Sequence, residues 1–363
     1  MSKGISEETS VLHCIATLGG GGAERQVRGL LPAIAGQGMR VGLMTRFAPG
    51  DREYFEDCGI DCVPLPQAGH NNPAVAAKVI ARVARDPSWI VQTWLQQMDL
   101  LGGLGAQVSG AQWILSERSS ALHYSPTTKN RIRRLLARRA SLIIANSQKG
   151  LDYWSGLGVA QTIIANGIDV APAAEFSPID LVPSERPLLL AIGRLDAGKN
   201  MAAVIRAFAH YRREGGVARL AILGDGPDAY HLRKLARDEG LDDSVVFAGF
   251  RSDVPAWLAR ADAFVSFSRY EGQPNAVLEA AFARVPLLLS DIEEHREVIG
   301  DAAAYADADN PIAAATQLRG VLSGNARVKS RSDAAHALVS NRSFARIAAL
   351  YVAAYENLLA GSR

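Results

Sequence analysis

Short apolar runs alternate with helix-like segments from one end of this chain to the other, and no other feature limits the fold as strongly. The predicted strands of the first half are residues 11–18, 41–46, 62–65, 89–94, 113–116, 142–146 and 162–165. Those of the second half are residues 188–192, 220–223, 245–248, 264–267 and 287–290. Strands that alternate with helices are typical of parallel sheets covered on both faces. We therefore predict an α/β protein with two doubly wound domains.

A proline-rich stretch separates the two halves. Residues 169–186 carry several prolines and few helical signals, so we interpret them as a linker. The expected domains are residues 1–168 and 187–342, and residues 343–363 form a C-terminal segment whose first part predicts an amphipathic helix. Ligands of doubly wound sheets bind at the carboxyl ends of strands. We therefore expect the site in a cleft between the two domains.

The composition is that of a soluble globular protein. The chain has 363 residues, of which 48% are hydrophobic and 21% are charged, and its net charge of +2 indicates no particular partner. The cysteines Cys14, Cys58 and Cys62 suit neither a disulfide framework nor a zinc site. Residues 1–10 do not have the pattern of a secretory leader, and the apolar runs are too short to span a bilayer. We expect a cytoplasmic protein without a metal ion.

The segment from Glu271 to Glu279 carries the strongest chemical signal. It follows the predicted strand at 264–267 and opens a predicted helix at 274–284, with Pro274 in the first turn. Free N–H groups at a helix N-terminus bind anions, and the two carboxylates can accept hydrogen bonds from hydroxyl groups at two separate points. A phosphate between two polyhydroxylated rings is a nucleotide-sugar. An ordinary helix start with two surface glutamates is the alternative.

Glycine-rich and basic loops follow several other predicted strands. The glycines at 19–22 precede a helix whose positive end lies at the loop. Arg194 and Lys199 stand at another strand-to-helix junction, where they can neutralise a diphosphate. Gly224 and Gly226 let a third loop pass close to a ligand. A flexible turn and a surface pair of cations are the alternatives for the first two loops.

A basic stretch follows the strand that ends at residue 116. Residues 118–151 contain no acidic side chain, and their basic residues concentrate at 129–139. Ile132, Leu135 and Leu136 recur there at helical spacing, which predicts a basic amphipathic helix. Such a helix lies on an anionic membrane surface or faces an anionic substrate, and a solvated helix packed on its own domain is an equal alternative. Aromatic residues are not interleaved, so nucleic acid is not expected.

The order of these motifs resembles the GT4 family of retaining glycosyltransferases, which have the GT-B fold. The matching motifs are Gly-Gly-Ala-Glu-Arg at 21–25, Asn-Gly-Ile-Asp at 166–169, Gly-Arg at 193–194 with Lys199, Gly-Asp-Gly-Pro at 224–227, Phe-Ala-Gly at 247–249, and the segment 271–279. The resemblance covers nearly the whole chain. It implies two facing Rossmann-like domains, the first for the acceptor and the second for the nucleotide-sugar, and a terminal helix that packs back on the first domain.

The resemblance also implies roles for individual residues. Arg194 and Lys199 would hold the donor diphosphate, Glu271 would lie near the donor sugar, and Glu279 would bind the ribose hydroxyls. The first three are the expected catalytic residues, and no metal or other cofactor is implied. The other expected donor-binding residues are Gly21, Gly22, Gly193, Gly224, Gly226, Phe250, Gly272, Pro274, Asn275, Ala276, Val277 and Leu278. The expected acceptor-side residues are Glu117, Arg118 and Asn166.

Two departures from the family pattern bear on the substrate. Many relatives carry a histidine where this chain has Glu117 and Arg118, and a Ser-Glu-Arg version resembles enzymes of bacterial surface-polysaccharide and lipid-linked oligosaccharide synthesis. One of these two side chains is expected to contact the acceptor or the donor sugar. Relatives usually also have two glycines in the loop after Ser290, where this chain has Asp-Ile-Glu-Glu-His. The resemblance therefore leaves the donor sugar open.

The implied reaction moves a hexose or N-acetylhexosamine from a nucleoside diphosphate, expected to be UDP, to a saccharide or lipid-linked acceptor at the inner face of the plasma membrane. The departing diphosphate would accept the acceptor's proton, so Glu271 need not be a nucleophile. Hydrolysis by two carboxylates is disfavoured, because Glu279 would point toward ribose rather than across a glycosidic bond. A nucleotide-sugar isomerase of the hydrolysing 2-epimerase type and a non-catalytic nucleotide-sugar-binding relative are the alternatives.

Overall fold

The structure is a computed structural model, and it describes residues 10–65, 72–119, 124, 127–168 and 187–361. The described residues fall into two compact units, each built on its own parallel sheet. The first unit runs to Gly167 and also includes the chain from Arg342 onward, and the second unit is Ile168–Asn341. The predicted linker at 169–186 lies outside the described residues.

The first unit has, within its described residues, a seven-stranded sheet whose strand pairs are parallel. Its strands are β1 (Ser10–Thr17), β2 (Arg40–Arg46), β3 (Asp61–Pro64), β4 (Trp89–Trp94), β5 (Trp113–Glu117), β6 (Leu142–Ala145) and β7 (Gln161–Ile163). The order across the sheet is β3-β2-β1-β4-β5-β6-β7, so it reverses between β1 and β4. In open parallel sheets, ligands bind at the carboxyl ends of the strands that flank such a reversal.

Helices cover both faces of this sheet. They are α1 (Gly22–Ala35), α2 (Asp51–Asp57), α3 (Ala74–Arg85), α4 (Leu95–Ser109), α5 (Thr128–Ala137) and α6 (Gln148–Asp152). A layer of helices is needed on each face of the sheet, because successive side chains of a strand such as β1 point to opposite faces. Val11 and Ile15 belong to one apolar core, and Leu12 and Cys14 belong to the other.

The second unit repeats this design with a six-stranded parallel sheet among its described residues. Its strands are β8 (Leu188–Ile192), β9 (Arg219–Leu223), β10 (Val245–Gly249), β11 (Ala263–Ser266), β12 (Leu287–Ser290) and β13 (Ala304–Ala306). Their order is β10-β9-β8-β11-β12-β13, with the reversal between β8 and β11. The helices are α7 (Met201–Arg213), α8 (Ala229–Asp238), α9 (Val254–Arg260), α10 (Asn275–Phe282), α11 (Glu293–Ile299), α12 (Pro311–Leu322) and α13 (Ala326–Val339).

The last helix, α14 (Phe344–Ala360), packs in the first unit against α1. Ser343 caps it, since its hydroxyl accepts a hydrogen bond from the Arg346 amide at 3.4 Å. The ring of Phe344 lies between two glycines. A Cβ atom built on Gly29 would lie 2.2 Å from this ring, and one built on Gly167 would lie 2.3 Å from it. The close approach of this helix therefore requires glycine on both sides.

The predicted α/β architecture is confirmed, and every predicted strand is present with ends that differ by at most two residues. The edge strand β13 was not predicted, because Ala304-Tyr-Ala306 is short and lacks β-branched side chains. The helix α10 begins at Asn275 rather than at Pro274, which occupies the N-cap position, and it ends at Phe282.

The basic helix α5 differs from the sequence-based prediction in the residues that it buries. The predicted apolar residues Ile132 and Leu135 are 48% and 63% exposed, whereas Arg133 is 1% exposed. The helix nevertheless packs on its own unit, against α4, with Ala137 buried and Leu136 against the core, so a solvated helix packed on its own domain stays an alternative to the membrane interpretation. Arg133 is buried because its guanidinium pairs with two buried carboxylates of the same unit, which are described below.

Candidate active site

Lys199 and Glu271 meet at the strand-order reversal of the second unit. Lys199 follows β8 and Glu271 follows β11, and these strands are neighbours in the sheet. The Lys199 Nζ atom lies 2.5 Å from Glu271 Oε1. The two side chains are 29% and 9% exposed, so the ion pair is largely withdrawn from solvent. The structure thus brings together two of the three predicted catalytic residues.

The Glu271 carboxylate is held by several groups. Burial alone would raise the pKa of Glu271, but the nearby Lys199 ammonium, with hydrogen bonds from Lys199 and Ser268, outweighs this effect and lowers that pKa below its usual value. Ser268 Oγ donates to Oε1 at 2.7 Å. On the main chain, the Glu271 amide donates to Oε1 of Glu294 at 3.4 Å. Glu271 is therefore ionised at neutral pH and fixed in orientation.

The glycines of the second unit's loops bring those loops against one another. Gly224 has a φ of +131°, and a Cβ atom there would lie 2.0 Å from the carbonyl oxygen of Gly193. A Cβ atom on Gly226 would lie 2.4 Å from the carbonyl oxygen of Leu195, whose amide donates to Asp225 O at 3.0 Å. On the side where a Cβ atom would stand, the neighbouring loop fills the space beside each glycine, and the expectation that their backbone passes close to a ligand stays a prediction. Their effect is to brace the loop that carries Arg194 and Lys199.

The other predicted donor residues lie on strand-end loops and on α10 of the second unit. The Arg194 side chain is 72% exposed and lies 3.6 Å from Asp196. Phe250 is 64% exposed, and Glu279 is partly buried on α10. The loop before α10 contains Gly272 and Pro274, and the helix itself begins with Asn275 and Ala276. Val277 and Leu278 are each 1% exposed, so their side chains belong to the core and only their backbone can face a ligand.

In the first unit, Glu117 is fully buried at the end of β5. Its Oε1 accepts hydrogen bonds from two backbone amides and a phenol, and its Oε2 accepts from a guanidinium and an indole, all between 2.7 and 3.0 Å. The donors are Arg118 N, Ser119 N, Tyr124 OH, Arg133 Nη2 and Trp154 Nε1. The expectation that Glu117 contacts a substrate is therefore corrected: this carboxylate is engaged inside the unit and shapes the loop after β5.

Arg133 completes this network between two carboxylates. Its Nε donates to Asp99 Oδ2 at 2.8 Å, and its Nη2 lies 2.7 Å from the same oxygen and 3.0 Å from Glu117 Oε2. All three side chains are at most 1% exposed. Burial raises the pKa of Asp99 to about 6, although the Arg133 charge opposes the rise. The network ties α5 to α4 and β5.

Arg118 and Asn166 meet at the carboxyl edge of the first sheet. Arg118 Nη1 donates to Asn166 Oδ1 at 3.1 Å, and Nη2 donates to the Tyr351 hydroxyl. The guanidinium carbon lies 4.5 Å from the centre of the Trp94 ring, which is within cation–π range. Asn146 Nδ2 also approaches Asn166 Oδ1, at 3.5 Å. Two of the three predicted acceptor-side residues are therefore in contact.

The first glycine loop lies at the carboxyl end of β1. Gly21 and Gly22 are exposed at the start of α1. A Cβ atom on Gly21 would lie 2.3 Å from the Glu24 carboxylate.

In the part of the chain that the structure describes, no group of three or more His, Cys, Asp or Glu residues is arranged to hold a metal ion. None of the described helices is long and apolar enough to cross a membrane.

Two family models match the chain. The one described as Glycosyltransferase Family 4 matches residues 20–172, and the one described as Glycosyl transferases group 1 matches residues 186–324. The chain belongs to the GT4 family of glycosyltransferases. Its two Rossmann-like units are those of the GT-B fold.

Curated relatives of this GT4 protein are named for the synthesis of different saccharides. The chain is 27% identical to the lipopolysaccharide core biosynthesis glycosyltransferase LpsE of Rhizobium meliloti, over 82% of this chain and 87% of LpsE. It is 29% identical, over 46% of each chain, to the N-acetylgalactosamine-N,N'-diacetylbacillosaminyl-diphospho-undecaprenol 4-alpha-N-acetylgalactosaminyltransferase of Campylobacter jejuni. A match to the alpha-D-kanosaminyltransferase of Streptomyces kanamyceticus, at 34% identity, covers 32% of this chain and 31% of that enzyme. The matches to the last two span less than half of those enzymes.

Solved structures confirm the fold of this GT4 protein. HepE of Anabaena, in complex with UDP and glucose, superimposes with a TM-score of 0.81 at 18% identity, over 96% of this chain and all of HepE. Sucrose-phosphate synthase from Thermosynechococcus elongatus gives a TM-score of 0.80 at 18% identity, over 97% of this chain and 100% of that one.

Several functional candidates in this GT4 protein were not predicted from its sequence. Ser268 and Glu294 both hold Glu271, and Asn146 and Tyr351 surround the pair formed by Arg118 and Asn166. Ser268 gives a local signal, since it lies between the end of β11 and Glu271. Tyr351 gives none, because it lies on the last helix, far from Arg118 in sequence.

Proposed function

We propose that this GT4 protein transfers a hexose or N-acetylhexosamine from a UDP-sugar to a saccharide or lipid-linked acceptor, with retention of the anomeric configuration, in cell-surface polysaccharide synthesis. The observation that carries the proposal is the Lys199–Glu271 ion pair at the reversal between β8 and β11. The lipopolysaccharide role in the name of LpsE and the UDP bound to HepE support the acceptor class and the nucleotide.

The donor diphosphate is proposed to lie at the loop after β8. Lys199 is held by Glu271, and a diphosphate would compete with that carboxylate for the ammonium. The Arg194 guanidinium is exposed and 3.6 Å from its nearest carboxylate, so it can turn toward a phosphate. The amides at the start of α10 supply further donors. Lys199 and the α10 amides are held in place before the reaction, which favours charge stabilisation, whereas Arg194 would turn toward the phosphate on binding.

In the proposed reaction, the bond between the sugar's anomeric carbon and the diphosphate oxygen breaks. The acceptor hydroxyl oxygen bonds to the same face of that carbon, and its proton passes to an oxygen of the departing diphosphate. Arg194 and Lys199 stabilise the negative charge that grows on the leaving group. Glu271, ionised and held by Ser268, stabilises positive charge on the sugar ring.

The acceptor is proposed to meet Arg118 in the first unit. Asn166, Tyr351 and Trp94 hold its guanidinium in one orientation, and a guanidinium can bind a phosphate or two sugar hydroxyls. Glu117 acts on this contact through the Arg118 amide. We expect Arg118→Ala to lower turnover mainly through the acceptor's KM.

A lipid-linked acceptor would place α5 at the inner, anionic membrane surface. Ile132 and Leu135 are exposed on this helix, and the exposed basic residues of the same segment are Lys129, Arg131, Arg138 and Arg139. An apolar stripe flanked by cations is the pattern of an interfacial helix. Co-sedimentation with vesicles that contain anionic lipid tests this. The double variant Ile132→Ser/Leu135→Ser should no longer sediment with the vesicles. The control Leu338→Ser, which alters a 51% exposed leucine of α13, should sediment as the wild type does.

A thermal-shift screen with UDP-, GDP- and ADP-sugars tests the donor assignment. Ligand at a hundredfold excess over its Kd stabilises the folded state by about 2.7 kcal/mol, so one nucleotide class should raise the Tm.

Lys199→Ala and Glu271→Gln should lower the rate of sugar transfer by about 10²- to 10³-fold, while Lys234→Ala, which removes an exposed lysine of α8, should leave that rate unchanged. Release of a nucleoside diphosphate supports transfer. Formation of a new nucleotide-sugar would instead make the chain an isomerase.

A further inference from the structure

His295 is a fully buried histidine on α11, directly after the glutamate that accepts from the Glu271 amide. Its Nδ1 atom lies 2.9 Å from the Ser290 carbonyl oxygen and 3.3 Å from the Ser290 hydroxyl. Its Nε2 atom has no hydrogen-bond partner among the residues that the structure describes. Within those ranges, the hydrogen bonds of this imidazole therefore lead only to Ser290.

The protonation state of His295 sets the direction of these hydrogen bonds. Burial lowers the pKa of His295 below its usual value, so the ring is neutral at neutral pH. A carbonyl oxygen can only accept a hydrogen bond, so the single proton of the neutral ring must be on Nδ1. The imidazole therefore acts as a donor to Ser290.

Ser290 connects His295 to the segment that carries Glu271. The Ser290 hydroxyl donates to the Ser268 carbonyl oxygen at 2.7 Å, and the Ser268 hydroxyl donates to Glu271 Oε1 at 2.7 Å. The donors and acceptors agree in direction, so a chain of hydrogen bonds runs from the imidazole to the carboxylate. All four residues are buried, and hydrogen bonds in a chain strengthen one another where water is excluded.

The helix that carries His295 is itself anchored. Arg296 donates two hydrogen bonds to the Asp291 carboxylate, at 2.7 and 3.0 Å, across the loop between β12 and α11. The Arg296 guanidinium carbon also lies 3.6 Å from the centre of the Tyr305 ring, on the neighbouring strand β13. A side chain can hold a catalytic group precisely only when its own position is fixed, and His295 meets that condition.

We propose that His295 is a positioning residue for Glu271. By holding Ser290, it keeps the Ser268 carbonyl in place and so directs the Ser268 hydroxyl at Glu271 Oε1. The carboxylate is then held against Lys199 before the donor binds. This inference rests on the proposed role of Glu271, which is to stabilise positive charge on the sugar ring.

Two substitutions separate the hydrogen bond of His295 from its volume. His295→Leu fills similar space without a donor, whereas His295→Asn keeps an amide donor near the position of Nδ1 and leaves a cavity. We expect His295→Leu to lower kcat by about 10- to 100-fold, since misplacing a catalytic group by about 1 Å costs about 10²-fold. His295→Asn should keep most of the wild-type kcat, although its cavity lowers the Tm. A residue that acts through packing alone would give the opposite order of activity.

The KM for the donor should change little in either variant. Lys199 and the amides of α10, which are proposed to hold the diphosphate, are not altered, and Glu271 is proposed to act on charge that develops in the transition state. A loss confined to kcat therefore distinguishes a displaced Glu271 from a general loosening of the donor site. Circular dichroism at the assay temperature shows whether each variant is folded.

His336→Leu is the matched control. His336 is another histidine of the second unit, and its Nδ1 lies 2.7 Å from the carbonyl oxygen of Phe282. Phe282 is the last residue of α10, at the opposite end from the amides proposed to face the donor. This variant should lose stability, as His295→Leu does, but keep the wild-type kcat.

A double-mutant cycle tests whether His295 acts through Glu271. In a Glu271→Gln background, His295→Leu should lower the rate of transfer much less than it does in the wild type. Equal losses in both backgrounds, a wild-type kcat in His295→Leu, or a lower kcat in His295→Asn than in His295→Leu would overturn the inference. A wild-type rate in Glu271→Gln alone would refute the proposed role of Glu271, and this inference with it.

NMR of the wild-type chain labelled with ¹⁵N-histidine tests the hydrogen bond without a substrate. The signals of His295 are those that the His295→Asn spectrum lacks. We expect the ring proton to be on Nδ1 at pH 7 and Nε2 to be unprotonated. A ring with its only proton on Nε2 could not donate to the Ser290 carbonyl, and that result would overturn the inference even if His295→Leu does not fold.

Discussion

Gly226 lies against the loop that carries Arg194 and Lys199, and alanine at this position would displace that loop. A Cβ atom there would lie 2.4 Å from the Leu195 carbonyl oxygen and 2.7 Å from the Leu195 amide nitrogen. These are backbone atoms, which cannot rotate away as the end of a side chain can. Ordinary contact begins at 3.4 Å, so the loop has to move by about 1 Å.

A displacement of this size has a predictable effect on catalysis. Misplacing a catalytic group by about 1 Å costs about 10²-fold in rate. We therefore expect Gly226→Ala to lower kcat/KM by about 100-fold, which corresponds to about 2.7 kcal/mol of transition-state stabilisation. Overpacking costs typically about 1–3 kcal/mol of folding stability, so the variant should still fold at a temperature well below the Tm of the wild type.

The assay measures the release of nucleoside diphosphate from the nucleotide-sugar that raises the wild-type Tm. Circular dichroism at the same temperature shows whether the variant is folded. Gly320→Ala is the matched control, since no atom lies within 4 Å of a Cβ atom at that position of α12. It should retain full activity and gain up to about 1 kcal/mol in stability. A folded Gly226→Ala variant with wild-type kcat/KM would refute the claim that the two loops brace each other and position Lys199.

Three further predictions concern stability. Burial raises the pKa of Asp99 to about 6 from a usual 3.8, so the stability that this group contributes is present below pH 4 and is lost as the pH rises through 6. The free energy of unfolding of the wild type minus that of Asp99→Asn should therefore fall by about 3 kcal/mol over this window, and a difference that does not change with pH would contradict the raised pKa. Arg133→Met should destabilise the protein by about 3–5 kcal/mol at pH 7 in urea unfolding, because it leaves two carboxylates buried without their cation. Gly29→Ala should cost about 1–3 kcal/mol and much less in a Phe344→Ala background, and additive effects would show that the ring is not the obstacle.

The local features of the fold could be predicted because each has a local cause. Apolar runs such as Leu188–Ile192 are buried on both faces, so they stand out from the amphipathic helices between them. The loops at the strand ends carry Lys199 and Glu271, and the alternation of strands and helices places such loops at one edge of a sheet. The edge strand β13 has no such signal, since alanine has little preference for strands.

Contacts between distant residues could not be predicted in the same way. Arg133 belongs to a sequence pattern that favours an exposed basic helix, and only two carboxylates on other elements, Asp99 and Glu117, reverse that preference. A motif likewise places Gly224 at a strand end, but the sequence does not indicate that the Gly193 carbonyl fills the space beside it. In both cases the deciding neighbour comes from another element, and pattern reasoning takes each element alone.

The same distinction explains why the donor sugar stays open while the diphosphate position is proposed. A diphosphate is recognised by charge and by backbone amides, and motifs report both. A sugar is recognised by the positions of single polar atoms, and at the proposed site we expect these positions to depend on how the loop after β12 meets Glu271. Glu294, at the start of α11 directly after that loop, is 4% exposed, and its Oε1 accepts a hydrogen bond from the Glu271 amide, so we expect a change in that loop to shift Glu271. We therefore expect the choice of donor sugar to depend on the contact between these two segments, which neither segment's sequence specifies on its own.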